Sequence, residues 1–135
     1  MHQKGGILMI KAFFPPLGLL AALLILVFQN GAFIRVETDR WQTQLQQAAD
    51  LAKNENWSGA AATLTESHQD WSSRQFYLHI VMEHDAIDDA DAMYQRAIAF
   101  AKERESSEFQ AELSDLSDQL RLLAEMEQFS LKNIL

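Results

Sequence analysis

AFFPPLGLLAALLILVF, residues 12–28, is the stretch on which the reading of this chain turns. No charged side chain interrupts it. With Gln29, Asn30 and Gly31 tolerated, the run reaches Ile34 before Arg35 stops it. As a helix, residues 12–34 extend roughly 35 Å at about 1.5 Å per residue. That crosses a hydrocarbon core about 30 Å thick with some tilt. Pro15 and Pro16 are expected in the first turn, where helix amides have no intrahelical partner. A buried helix of a soluble domain is the alternative, but one small domain could hardly cover LGLLAALLILVF on every side.

Charge divides the chain at the same place. Residues 1–35 hold Lys4, Lys11 and Arg35 and no acid, whereas residues 36–135 hold all 19 acidic side chains of a chain with net charge −8. Positive flanks stay in the cytoplasm. The expected organisation is a short cytoplasmic N-terminus at 1–11, a transmembrane anchor at 12–34 and an extracytoplasmic helical domain at 35–135. A cleaved signal peptide is the rival, since Leu17–Phe28 has the length of an h-region, but Asn30 fits poorly near a small-x-small cleavage site. No cysteine is present, which excludes a lipoprotein anchor, disulfides, thiolate metal sites and thiol catalysis. A pI near 4.8 has the wrong sign for a general nucleic-acid binder.

From Thr38 onward proline is absent and Gly59 is the only glycine. Ala, Leu, Glu, Gln, Asp, Ser and Arg dominate, so summed propensity favours helix. Apolar spacing divides the region into five segments. Residues 38–54 carry Trp41, Leu45, Ala48, Ala49 and Ala52 on one stripe. Residues 57–69 carry Trp57, Ala60, Ala61, Leu64 and His68, with Asn56 as N-cap, and the small residues 59–62 allow a neighbouring helix to approach closely. Residues 70–84, capped by Asp70 or Ser72, are the most apolar, with Trp71, Phe76, Leu78, Ile80, Val81 and Met82. Residues 87–104, capped by Asp85, bury Met93, Ala97, Ile98 and Ala101. Residues 107–132 begin with a Ser107–Gln110 capping box and carry Leu113, Leu116, Leu120 and Leu123 at a 3-4 spacing. Short turns make neighbours antiparallel. The predicted fold is all-α: an N-terminal transmembrane helix followed by an antiparallel helical bundle or helical-hairpin array. A weak echo between Ala52-Lys53 and Ala101-Lys102 leaves a tetratricopeptide-like arrangement open.

Chemistry is sparse. The strongest candidate is the corner Glu83-His84-Asp85-Ala86-Ile87-Asp88-Asp89-Ala90-Asp91. On a helix, His84 lies one turn from Asp88 and His79 one turn from Glu83, and imidazoles with carboxylates can hold a divalent ion. His79 and His84, five apart, fall on different faces of an uninterrupted helix, and neither an EF-hand order nor His-Glu-x-x-His is present. The expectation is therefore a capped helix corner with no metal, no cofactor and no catalytic residue; His79, Glu83, His84 and Asp88 are weak metal candidates. No Gly-x-Ser-x-Gly or phosphate loop occurs. Trp41, Trp57 and Trp71 are expected as core knobs with locally bonded indoles, Trp41 alternatively at the membrane interface. Ile134 and Leu135 are expected to dock on the bundle, with Asn133 as cap. Trp57, Trp71, Phe129 and Asn133 are the candidate interaction residues.

The closing Glu127-x-x-Ser130-Leu131-x-Asn133-Ile134-Leu135, with Asn56-Trp57, Trp71 and His84-Asp85, resembles an uncharacterised bacterial family, domain of unknown function 4363, from Pro15 onward. The resemblance implies a short membrane-anchored helical protein, mostly of Gram-positive bacteria, and supplies no catalytic residue. The expected function is that of an envelope interaction or structural module, bound to the membrane by one span and to a protein partner. A ligand- or cation-sensing domain using the His79–Asp91 corner is the alternative.

Overall fold

The computed structural model describes the backbone of residues 2–81 and 83–134; within these, the side chains of 2–14, 27, 30, 31, 81, 128 and 130–134 are excepted. The described residues form five helices: α1 (His2–Lys53), α2 (Trp57–Ser73), α3 (Gln75–Val81), α4 (His84–Lys102) and α5 (Ser106–Ile134). The chain divides into two compact units, Met1–Phe33 and Ile34–Leu135.

In the first unit Leu17, Leu19, Leu20, Leu23, Ile25, Leu26 and Phe28 of the 12–28 run are exposed and Leu24 is half-buried. Among the described residues no helix is long and apolar enough to cross a membrane. The expected span at 12–34 includes Ala12–Phe14, Val27, Asn30 and Gly31, whose side chains lie outside the described residues. Pro15 and Pro16 fall inside α1, not in its first turn, because the helix already begins at His2. Each removes a backbone donor that an interior turn would use.

The second unit is an up-down-up-down four-helix bundle. Its α1 portion runs antiparallel to α2, placing the Trp41 indole against the Asp70 carboxylate at 2.8 Å. The α2–α4 seam is antiparallel as well, pairing Ser67 with Tyr94 and His68 with Asp91. The ring closes between α1 and α5. Gln42 donates to the Ser117 carbonyl at 3.1 Å, and Gln110 donates to the Ala49 carbonyl at 3.2 Å. This closure makes a bundle, not an open array of hairpins.

The core follows the predicted stripes on α1, α2 and α5, but on α4 the buried face is shifted: Met93 and Ile98 are only half-buried, and Ile87, Ala90 and Tyr94 join Ala97 and Ala101 inside. Trp41, Leu45, Ala48, Ala49 and Ala52 of α1 are buried against Trp57, Ala60, Leu64 and Trp71 of α2. From α4 come Ile87, Ala90, Tyr94, Ala97 and Ala101, and from α5 Phe109, Leu113, Leu116, Leu120 and Leu123. Alanine on α1, α2 and α4 lets the helices approach, while Trp71, Tyr94 and Phe109 fill the volume between them. Burial of each large apolar side chain contributes on the order of 1.5–3 kcal/mol.

Two helices end alike. After α1, Glu55 takes φ 63°, its amide donates to Ala52 and that of Asn56 to Leu51. After α4, Arg104 takes φ 56°, its amide donates to Ala101 and that of Glu105 to Phe100. Both are Schellman turns with a non-glycine residue in the left-handed region. The echo between Ala52-Lys53 and Ala101-Lys102 is this shared turn.

Capping departs from expectation at three helices. Asn56 caps α2 as predicted, its Oδ1 accepting from the Gly59 amide at 3.0 Å. A Cβ at Gly59 would meet the Asn56 side chain at 2.8–2.9 Å, so the missing side chain serves this cap rather than a neighbouring helix. Asp70 and Ser72 cap nothing: α2 continues to Ser73, because Asp70 is engaged by Trp41 and Arg40 from α1. The N-cap of α4 is Glu83, without a side-chain cap bond, and Asp85 sits in the first turn. Gln110 reaches across to α1 instead of back to Ser107.

Candidate functional site

The most apolar segment, 70–84, is only partly buried where its side chains are described. Trp71 and Leu78 are buried, but Phe76 is 81% and Ile80 68% exposed. Four residues apart, they share the outer face of α3. The α2–α3 break at Arg74 lies beside α1, the Arg74 Nε being 3.7 Å from a Glu37 carboxylate oxygen. Thus α3 starts at the end of the bundle where residues 34–37 begin it. Phe129, on the last turns of α5, is 66% exposed.

The corner after α3 brings together residues that helical spacing separates. α3 ends at Val81, and Glu83 is extended at φ −67°, ψ 131° before α4 starts at His84. The two histidines therefore do not lie on one helix. The Nδ1 atoms of His79 and His84 are 2.8 Å apart and share a hydrogen bond. The other nitrogen of His84, Nε2, is 3.2 Å from Asp88 Oδ2, one turn along α4. Among the described residues, His79, His84 and Asp88 place ligand atoms within 4.8 Å of one another. Glu83, the fourth candidate, is exposed and outside this group, since the helix that would align it with His79 has already ended.

A second histidine–carboxylate pair was not legible locally. His68 Nε2 is 2.8 Å from Asp91 Oδ1 across the α2–α4 seam, and Gln95 donates to the other Asp91 oxygen at 2.7 Å. The His68 ring lies against Tyr94 and stacks over Trp71, at centroid distances of 5.2 and 6.4 Å. The 23-residue separation hides the pair from any motif search.

All three tryptophans are core residues. Trp57 packs edge-on against Phe109 at 5.5 Å. The indole bonds are not local: Trp41 reaches Asp70 29 residues away, and Trp71 Nε1 has no hydrogen-bond partner among the described residues. Buried, Trp57 and Trp71 offer no surface to a partner, and Trp41 lies inside the bundle rather than at a lipid interface. The side chains of Asn133 and Ile134, and Leu135, lie outside the described residues.

Between α1 and α5 an open groove of about 250 Å³ is lined mainly by polar groups, among them Gln42, Gln46, Gln110, Ser114 and Ser117. Burial raises the Tyr94 phenol pKa far above its ordinary range; the hydrogen bond to Ser67 opposes this, and the Asp70 charge adds to it. Desolvation, then Glu127, raises that of Tyr77.

The family described as a domain of unknown function, DUF4363, matches residues 28–134. The chain belongs to that family. Its match covers the bundle and begins at the end of the apolar run, later than the Pro15 start that the resemblance suggested. No curated protein matches the chain. No solved structure matches it either.

Proposed function

We propose that this DUF4363 protein is a single-pass membrane protein, with residues 12–34 in the bilayer, the N-terminus in the cytoplasm and the bundle outside. There the bundle serves as an interaction module for another envelope protein. The observation that carries the reading is the uncharged run at 12–28, whose described leucines, isoleucine and phenylalanine are exposed in their own unit, Leu24 alone being half-buried. Lipid covers them at about 25 cal/mol per Å² of apolar surface removed from water. Basic residues before the run and an acidic domain after it support the orientation. The exposed Phe76 and Ile80 on α3 support a docking surface, since the bundle leaves both in solvent.

Protease added to intact cells, with mass measurement of the product, tests the topology. Loss of the bundle from cells whose cytoplasmic proteins stay intact, from a chain retaining residues 1–34, is the expected result. A bundle protected until the cells are lysed contradicts it.

A further inference from the structure

We propose that His79 and His84 form a two-nitrogen chelate for a divalent transition-metal ion of the Cu2+ or Ni2+ type. This site stands on its own geometry and does not depend on the membrane anchor.

A helix running unbroken through 79–84 would turn these rings apart. The end of α3 at Val81 and the extended Glu83 redirect the chain, and the two Nδ1 atoms come to 2.8 Å. The ring centres are 4.4 Å apart, wider than the nitrogens. The lines from ring centre through nitrogen therefore draw together beyond the nitrogens, where one ion can meet both. Two nitrogens bound cis at about 90° and about 2.05 Å are about 2.9 Å apart, whereas tetrahedral ligands are about 3.3 Å apart. The observed spacing fits the cis positions of a square-planar or octahedral ion without rearrangement. A tetrahedral Zn2+ would have to open the pair by about 0.5 Å. The Irving–Williams order also favours Cu2+ and Ni2+ over the earlier divalent ions at imidazole.

Asp88 Oδ2 lies 3.2 Å from His84 Nε2, the ring nitrogen that does not face His79. In the metal-free chain one Nδ1 donates to the other. Moving that proton to the Nε2 of its own ring leaves both Nδ1 lone pairs free for the ion. His84 is 72% and Asp88 53% exposed on their side chains, so water can fill the remaining coordination positions.

The full chain, purified in detergent and carrying His2→Gln to remove the chelate that an N-terminal amine and a following histidine provide, is titrated with Cu2+ and followed by electron paramagnetic resonance. One Cu2+ per chain with superhyperfine splitting from two nitrogens is expected. His79→Gln or His84→Gln should leave one nitrogen and weaken binding at least tenfold, with helix content by circular dichroism unchanged. Absence of saturable one-to-one binding overturns the site, as does a two-nitrogen signal that survives both histidine substitutions.

Discussion

Ser67 Oγ and Tyr94 OH lie 2.9 Å apart at the α2–α4 seam, both side chains fully buried. Each hydroxyl is the other's buried partner, so removing one strands the other. Ser67→Ala and Tyr94→Phe should each cost about 1–3 kcal/mol, and the double variant should cost less than the two combined. Denaturant unfolding of the four proteins checks this; strict additivity would mean that the bond contributes no coupling.

The same pair sets an alkaline limit. Burial raises the phenol pKa of Tyr94 above its unfolded value of about 10. A raised folded value means that folding favours the neutral form. That stability is complete below about pH 10 and is lost as pH rises beyond it. The unfolding midpoint should fall above pH 10, and Tyr94→Phe should flatten the decline, leaving the smaller contribution of Tyr77, whose value is raised in the same direction.

Glu55 and Arg104 hold left-handed backbone at the two Schellman turns, a conformation that costs an ordinary side chain roughly 1–2 kcal/mol. Both side chains are exposed. Glu55→Gly and Arg104→Gly should therefore stabilise the bundle by about 0.5–1 kcal/mol each, read as a rise in denaturant midpoint, even though glycine has more freedom to lose on folding. At Gly59 the direction is different. Alanine gains about 1 kcal/mol of helix propensity but displaces the Asn56 cap, which is worth about as much. Gly59→Ala should give no net stabilisation, whereas the same substitution in an Asn56→Ala background should give most of the propensity gain.

The stripes on α1, α2 and α5 were legible because the bundle buries one face of each helix, and a 3.6-residue period records that face directly. Trp41 to Ala52 and Leu113 to Leu123 are the clearest instances. What escaped was set by contacts distant in sequence. Asp70 looks like a helix cap, but α1 claims its carboxylate through Trp41 and Arg40, and α2 runs past it. The stretch between α3 and α4 carries neither proline nor glycine, so helical spacing placed His79 and His84 on different faces when the turn brings them together. Phe76 and Ile80 help make 70–84 the most apolar segment, yet hydropathy records what a side chain avoids, not whether the fold has a place for it.

Exposure also separates the docking role of α3 from its structural role. Phe76→Ser and Ile80→Ser should change stability by less than about 0.5 kcal/mol, since neither side chain is covered in the bundle. Both should abolish cross-linking in membranes from a photoreactive group placed at Gln75. Cross-linking that persists in the double variant would remove α3 from the interaction surface.

Alkaline extraction of membranes followed by detergent-free gradient flotation tests the anchor most directly. The full chain should stay with the floating lipid after extraction, and Leu20→Arg with Leu24→Arg should release it. Recovery of the unaltered full-length chain from the lipid-free fractions, as a dissolved monomer, would contradict the account.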